Sequence, residues 1–202
     1  MPQDPLTEYR AKRSFDRTEE PTGEDVRRSS QDPLFVVQHH MASSEHWDVR
    51  LEVDGELASW AVPKGPSTDP REKRLAKQVE DHPLDYADFE GTIPEDEYGG
   101  GEVVVWDMGP YRNDTTDDDG EPVAMRDAVD DGHVRVTLRG EKLQGAWVLQ
   151  QTNMNGDRSN WLLVKADDED ADARRNPTSS QPESVLSGRT VEDVAAEDEE
   201  DA

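Results

Sequence analysis

The sequence predicts an all-β fold, a compact β-barrel of about eight or nine short strands with one or two short helices. Three observations lead there. Apolar residues recur in short runs at a strand's period of two. Gly- or Pro-containing turns separate those runs, and helical periodicity is confined to a few short stretches. The runs crowd into residues 34–166, so the chain divides into an N-terminal arm (1–33, partly flexible), a barrel domain (34–166) and an acidic tail (167–202) expected to be disordered.

The arm opens with Asp4-Pro5, which caps a short helix running through Tyr9 and Ala11. Lys12-Arg13 follows as a rare basic patch whose Arg13 could reach a phosphate. Phe35-Val36-Val37 begins the first strand, and the polar stretch from Met41 to Glu45 is short enough for a tight connection. The second strand runs from His46 to Val53. Asp54-Gly55 signals a two-residue hairpin, and the return strand spans Glu56 to Val62. Pro63-Lys64-Gly65-Pro66 ends that strand and holds Lys64 in a stiff turn. Lys73 to Glu80 alternates again, and His82 is pushed into extended geometry by Pro83. The glycine-rich stretch Ile93 to Gly101 lacks both P-loop and dinucleotide spacing and reads as a connection. Glu102 to Asp107 is a buried strand, residues 110–122 an acidic loop, and Val123 to Val129 a short helix. Strands from Gly132 to Leu138, Gly145 to Gln151 and Trp161 to Lys165 complete the domain.

Composition limits what this chain can be. Of its 202 residues, 32 % are hydrophobic, and these are concentrated in the barrel segment, so a core is expected there and not at the ends. The lack of cysteine excludes disulfides, thiolate metal ligands and a cysteine nucleophile. No apolar run is long enough to span a bilayer and no signal peptide is evident, so a cytoplasmic monomer without membrane partners is expected. The formal charge of −26 repels nucleic acid in dilute buffer. Acids spread through every segment, with Arg outnumbering Lys, fit instead a protein of salt-rich cytoplasm. In molar salt the screening length falls to about 3 Å, and the global charge ceases to matter.

The chemistry concentrates in residues 34–53. On the second strand His46, Asp48, Arg50 and Glu52 share one face, and Trp47, Val49, Leu51 and Val53 the other. Gln38 and His40 share a face of the first strand. Paired across the connection, the two strands bring His40 close to His46 and Asp48. Two imidazoles and a carboxylate can bind a divalent transition metal while leaving positions open. Arg50 would offer its planar fork to an oxyanion alongside. The alternative is a set of surface histidines on a half-buried strand.

The ordered segments Phe35-Val-Val-Gln-His-His, His46-Trp-Asp-Val-Arg-Leu-Glu, Ser59-Trp-Ala-Val-Pro-Lys-Gly-Pro-Ser, Val79-Glu-Asp-His-Pro-Leu-Asp-Tyr, Phe89-Glu-Gly-Thr-Ile-Pro-Glu, Tyr98-Gly-Gly-Gly and Trp161-Leu-Leu-Val-Lys resemble the 3′-phosphoesterase domain of DNA ligase D, including its stand-alone archaeal and bacterial relatives. The resemblance runs from Tyr9 to Lys165 and implies a β-barrel that heals 3′ ends in DNA repair. It implies Mn²⁺, with other divalent transition metals as alternatives, and His40, His46 and Asp48 as its ligands. Arg50 and His82 are implied as phosphate and transition-state contacts, with His82 either a phosphate ligand or a general acid. Gln38, Lys64, Arg74, Glu80 and Tyr86 are implied as supporting residues, and Arg13 and Glu20 as functional residues of the arm. Ser14 departs from the pattern, which usually carries Asp there. The implied substrates are DNA primer-templates or RNA with a 3′-terminal ribonucleotide or 3′-phosphate, and the implied partners a DNA ligase and end-joining proteins. Two competing readings remain: a non-catalytic end-binding module of a repair complex, and a related metal phosphoesterase acting on a different phosphoester.

Overall fold

The computed structural model describes residues 4–24 and 32–201. Nine antiparallel strands form one sheet: β1 (Leu34–Met41), β2 (Glu45–Val53), β3 (Glu56–Val62), β4 (Arg74–Pro83), β5 (Gly91–Ile93), β6 (Gly101–Asn113), β7 (His133–Arg139), β8 (Gln144–Gln151) and β9 (Asn160–Lys165). Their order is β1-β2-β3-β4-β9-β8-β7-β6-β5, and β1 also pairs with β6. That last pairing closes eight strands into a barrel and leaves β5 as an extra strand on β6. The helices are short: α1 (Thr7–Ala11), α2 (Met125–Asp131), α3 (Pro177–Ser180) and α4 (Val191–Asp201), with a 3₁₀ turn at Leu84–Asp88. None is long and apolar enough to cross a membrane.

Period-two alternation decides what fills the barrel. Phe35 and Val37 of β1 and Trp47, Val49, Leu51 and Val53 of β2 point inward, into a core that holds all five tryptophans of the chain. Trp60 and Trp161 meet there edge to face, with centroids 5.4 Å apart. The outer face of β1 to β4 is not solvated. A second cluster covers it, joining Tyr9 of the arm and Leu84, Tyr86 and Phe89 of the 3₁₀ segment to Val36 and Leu57 of the barrel. The polar row on β2 therefore lies between a barrel wall and a cover. Register shifts between Val37 and Gln38 and between Leu57 and Ser59 bend the wall beside it.

Several boundaries differ from the sequence-based reading. Strand β4 continues past Glu80 to Pro83, because Leu57 pairs with His82 beyond the bulge. Strand β6 continues to Asn113, since Tyr111–Asn113 pair with β7. Strand β5 (Gly91–Ile93) precedes the stretch read as a connection and overlaps it only at Ile93. The helix after the acidic loop starts two residues late, at Met125. At the N terminus the helix starts at Thr7, and the Asp4 carboxylate accepts from the Leu6 N–H. The flexibility expected of the arm falls, at residues 25–31, outside the described residues.

The tail departs most. Described residues from 167 on wrap the barrel instead of being disordered. Between β5 and β7, strand β6 has an edge that needs partners. The Val185 N–H donates to the Val105 carbonyl (2.9 Å), and the Trp106 indole N–H donates to the Gln181 carbonyl (2.8 Å). Lys142 Nζ also donates to the Gln181 carbonyl (3.0 Å). Helix α4 then buries Val191 and Val194 against Val104 and Met41. Two apolar anchors spaced i,i+3 are too few for a clear periodic signal in so acidic a segment.

Because α4 is anchored by these two side chains, Val191→Ala and Val194→Ala should each lower unfolding stability by roughly 1–2 kcal/mol, at about 0.8 kcal/mol per buried methylene. Hydrogen exchange should find the Val185 and Val194 amides protected; exchange at random-coil rates would show the tail to be free.

Candidate active site

The β1–β2 register sets His40 opposite His46 and Gln38 opposite Asp48. The two imidazole centroids lie 4.7 Å apart. Asp48 Oδ2 is 3.6 Å from His40 Nδ1 and 3.5 Å from His46 Nε2. One donor atom from each of the three residues lies within 4.8 Å of the others.

The remaining ring nitrogens test whether this set suits a metal. His40 Nε2 is 2.7 Å from the Gly99 carbonyl, and His46 Nδ1 is 3.0 Å from the Ser44 carbonyl. A carbonyl only accepts, so both of those nitrogens carry the proton. The lone pairs of His40 Nδ1 and His46 Nε2 then face the Asp48 carboxylate. Backbone carbonyls that fix tautomers in this way are the usual outer partners of metal-bound histidines. Burial pushes the Asp48 carboxyl up, but Arg50 and the two imidazoles outweigh it and hold it well below the usual carboxylate range. Burial likewise opposes charge on His46, while Asp48 raises its pKa on balance.

Arg50 is buried beside this group and held through one bond from each of its three nitrogens. Its Nε donates to Gln38 Oε1 (2.7 Å), Nη1 to Ser59 Oγ (2.9 Å) and Nη2 to Asp48 Oδ2 (3.3 Å). The Gln38 amide is oriented in turn by donating to the Tyr86 and Phe89 carbonyls at 3.0 and 3.1 Å. The guanidinium lies 5.0 Å from the Tyr86 ring centroid.

The arm supplies the opposite wall. Arg13 Nε donates to Glu20 Oε1 (2.9 Å), and its Nη1 donates to the Tyr9 carbonyl and Glu80 Oε1 (3.1 and 3.3 Å). Its Nη2 reaches His82 Nε2 at 3.1 Å. The guanidinium sits 3.9 Å from the Tyr9 ring centroid. His82 Nδ1 donates to the Glu80 carbonyl (2.9 Å), so Nε2 is the acceptor for Arg13. Burial, reinforced by Arg50 and Arg13, holds the His82 pKa well below its usual value. The Tyr86 hydroxyl donates to Glu20 Oε1 (3.1 Å), and burial and Glu20 push its pKa well up.

These groups surround a cavity of about 280 Å³ lined in part by Arg13, His40, His46, Asp48, Arg50 and His82. Glu80 and Tyr86 line it too, and Gln38 and Glu20 reach it through Arg50, Arg13 and Tyr86. Lys64 and Arg74 do not line it. They border a separate cavity of about 370 Å³, where Arg74 pairs with Glu72 at 2.6 Å. Arg74 shares its strand face with the inward Ala76 rather than with the outward Lys77 and Val79. Ser14 lies at the turn after Arg13, where its carbonyl accepts from Arg17 N–H (2.8 Å).

Sequence reasoning did not select Ser59, Tyr9, Lys12 or Tyr98. Ser59 could have been found as the outward residue that pairs with Arg50 across β2–β3. Lys12, part of the basic patch, bonds Glu80 Oε2 at 3.0 Å, but that partner and the place of Tyr9 follow only from the docking of the arm.

A family profile described as the DNA ligase D 3′-phosphoesterase domain matches residues 38–151. The chain is also 52 % identical over 190 residues to the multifunctional non-homologous end joining protein LigD of Pseudomonas aeruginosa, covering 93 % of this chain and 22 % of that protein. The protein of the same name from Mycolicibacterium smegmatis is 41 % identical over 168 residues, covering 82 % of this chain and 21 % of that protein. The multifunctional non-homologous end joining DNA repair protein LigD of Mycobacterium tuberculosis is 42 % identical over 159 residues, covering 79 % and 19 %. The chain thus spans only about a fifth of the length of these relatives.

The state of His82 makes stability depend on pH. Above the unfolded-state value of about 6.5 the imidazole is neutral whether the chain is folded or not. Below it the unfolded chain binds a proton that the buried site refuses. Stability is therefore full above about pH 6.5 and is lost as pH falls toward the depressed folded value, by at most about 1.4 kcal/mol per pH unit from this group. Urea unfolding from about pH 5 to 7 should show a shallower slope for His82→Gln than for the parent; equal slopes would mean that His82 titrates normally in the fold.

Proposed function

The chain belongs to the DNA ligase D 3′-phosphoesterase domain family, and from that premise we propose that it heals nucleic-acid 3′ ends in end-joining repair. It removes a 3′-terminal ribonucleoside and then the remaining 3′-phosphate, leaving a 3′-OH that a ligase or polymerase can use. The observation that carries this reading is the convergence of His40, His46 and Asp48, with tautomers set by backbone carbonyls, beside the immobilised guanidinium of Arg50. A divalent transition metal held by those three residues, Mn²⁺ in our reading, would supply Lewis-acid polarisation of a phosphate oxygen and neutralise charge there.

The residues divide the remaining work. In the first step water oxygen bonds to phosphorus, the bond to the 5′-oxygen of the terminal nucleoside breaks, and that oxygen leaves with a proton. In the second, water attacks the 3′-phosphate, the bond to the 3′-oxygen breaks, and inorganic phosphate departs. Both steps spread negative charge over the non-bridging oxygens. Arg50 has five N–H groups, of which the bonds to Gln38, Ser59 and Asp48 occupy three. One on each terminal nitrogen is left for a phosphate oxygen, so Gln38 and Ser59 act by fixing where that fork points. Arg13 is the second anion contact, and Glu20, Glu80 and Tyr86 hold it or its neighbours in place. His82 Nε2 accepts from Arg13 and Nδ1–H donates to the Glu80 carbonyl, so the ring has no proton to give in this state, which supports a role in positioning Arg13 over general acid catalysis or direct phosphate contact. Lys64 and Arg74, which border a separate cavity, act at most as long-range positive charge and touch none of these groups.

We also assign the −26 charge to a salt-rich cytoplasm, where screening lets an acidic protein meet nucleic acid. The expected partners are DNA ends, a DNA ligase and end-joining proteins.

The test is a 3′-end assay in molar KCl on two primer-templates, one ending in a ribonucleotide and one in a 3′-phosphate. Conversion to 3′-OH is expected with Mn²⁺, and is expected to disappear with EDTA or in His40→Ala. Binding without turnover across several metals and salts would instead identify a non-catalytic end-binding module. Arg50→Lys should lower kcat by about 10²-fold or more, because a point charge cannot hold Gln38, Ser59 and phosphate at once. Wild-type turnover in that variant would remove Arg50 from the mechanism.

A further inference from the structure

Beyond the active cavity, an open groove of about 520 Å³ continues along the outer wall. Val79, Glu80 and Tyr98 border both spaces, so the two are contiguous. The cavity around Lys64 and Arg74 shares no lining residue with the active one. Tyr98, at the junction, is 46 % exposed and is the only aromatic among the large hydrophobic residues exposed in the described chain. Its place is nonetheless fixed. The turn that carries it is closed by Glu97 N–H to the Pro94 carbonyl (2.9 Å) and Gly100 N–H to the Glu97 carbonyl (3.1 Å). Arg17 clamps Glu97 at 2.7 Å, and the Gly99 carbonyl next to Tyr98 accepts from His40 (2.7 Å). A side chain at position 100 would sit 2.7 Å from Glu95 Cα, so only glycine fits. The ring is therefore held by the same backbone that orients the imidazole of His40.

The groove also gathers cations, in a chain with 22 basic and 48 acidic residues. Lys12, Lys77 and Arg158 line it. Lys12 is engaged by Glu8 (2.7 Å) and Glu80 (3.0 Å), which neutralise it. Lys77 faces Asp157 at 3.5 Å, but both side chains are about half exposed, so water screens that pair. The Arg158 guanidinium bonds the Gln151 amide oxygen (3.2 Å) rather than a carboxylate. Two cations thus remain to meet an anion, and Tyr98, with Lys12 Nζ 5.0 Å and Arg13 Cζ 5.4 Å from its ring centroid, stays 46 % exposed where the groove meets the active cavity.

We infer that this groove carries the retained strand of the substrate: Tyr98 stacks on the base nearest the phosphate under attack, and Lys77 and Arg158 meet phosphates further upstream. The chemistry favours the retained strand over the released nucleoside. A released nucleoside carries no phosphate and needs only room, whereas a continuing strand repeats base and phosphate along its length, as a stacking platform followed by cations requires. The inference rests on the 3′-end-healing reading and adds the direction in which the strand leaves.

The experiment compares the full chain with Tyr98→Ala, Tyr98→Phe and the double variant Lys77→Ala/Arg158→Ala on 3′-phosphorylated single strands, one a dinucleotide and one of about eight nucleotides. Anisotropy with a fluorescent strand of the longer length ending in 3′-OH reads binding without turnover. The double variant should raise KM and Kd for the longer strand by about 10-fold or more, leave the dinucleotide unchanged, and reduce the log–log salt slope by about 1.4, at roughly 0.7 per lost contact. Tyr98→Ala should raise KM about 5- to 100-fold at both lengths, and Tyr98→Phe should restore it. If the parent turns over both strands and the double variant matches it on the longer one, the strand does not use this groove, while the enzymatic reading stands. If Tyr98→Ala matches the parent on both 3′-phosphorylated strands, no retained base stacks there and the assigned direction is wrong. If the parent turns over nothing but binding still weakens in the variants, the track survives and the enzymatic reading falls.

Discussion

The buried guanidinium of Arg50 is the constraint around which the outer face of this barrel is built. A full positive charge away from water is costly unless every side of it is answered. Here Asp48 supplies the opposite charge, Gln38 and Ser59 accept its other donors, and Tyr86 lies against its face. Each partner comes from a different part of the fold: Gln38 from β1, Asp48 from β2 itself, Ser59 from β3 and Tyr86 from the 3₁₀ turn after β4. The charge therefore locks four neighbouring elements into one geometry, and the same lock keeps Asp48 ionised beside His40 and His46.

Such a site needs a cover, and the fold makes one from segments that are weak on their own. Helix α1 has five residues, too short to persist in isolation. It is held because Tyr9 is buried, donates to the Pro21 carbonyl (2.6 Å), meets His82 edge to face and lies under the Arg13 guanidinium. The cover thus contributes both hydrophobic packing and a guanidinium to the cavity wall. The tail serves the exposed edge of β6 in a similar way, through Gln181, Val185 and α4. In both cases a polar segment is ordered because the barrel leaves backbone groups or an apolar face that something must satisfy.

Charge is distributed on two scales. Globally the surface is acidic, and salt decides whether that matters. Locally, buried cations converge: Arg13 and Arg50 face the active cavity, each tied to carboxylates that fix its position without filling every donor. A phosphate entering the cavity meets directed N–H groups at close range, where bulk screening has little effect. An acidic protein and an anionic substrate are compatible on these terms.

Much of the fold and part of the site were legible in the residues alone. A strand's period of two is a local property, so the division of β2 into an inward Trp47-Val49-Leu51-Val53 face and an outward His46-Asp48-Arg50-Glu52 face could be read directly, as could the choice of His40 over its neighbour His39. Turn residues marked where strands end, and the number of runs pointed to a barrel. What the sequence could not determine was anything that depends on distant parts of the chain meeting. The Arg13–His82 contact joins residues 69 positions apart, the Lys12–Glu80 pair 68, and the Trp106–Gln181 bond 75. Lys64 and Arg74 lie at strand ends whose place relative to the cavity follows from sheet curvature and bulges, not from spacing. Alternation and turn chemistry are short-range and survive in the linear order of residues. The docking of arm and tail depends on surfaces that exist only once the barrel has closed, and so it was decided by the tertiary structure.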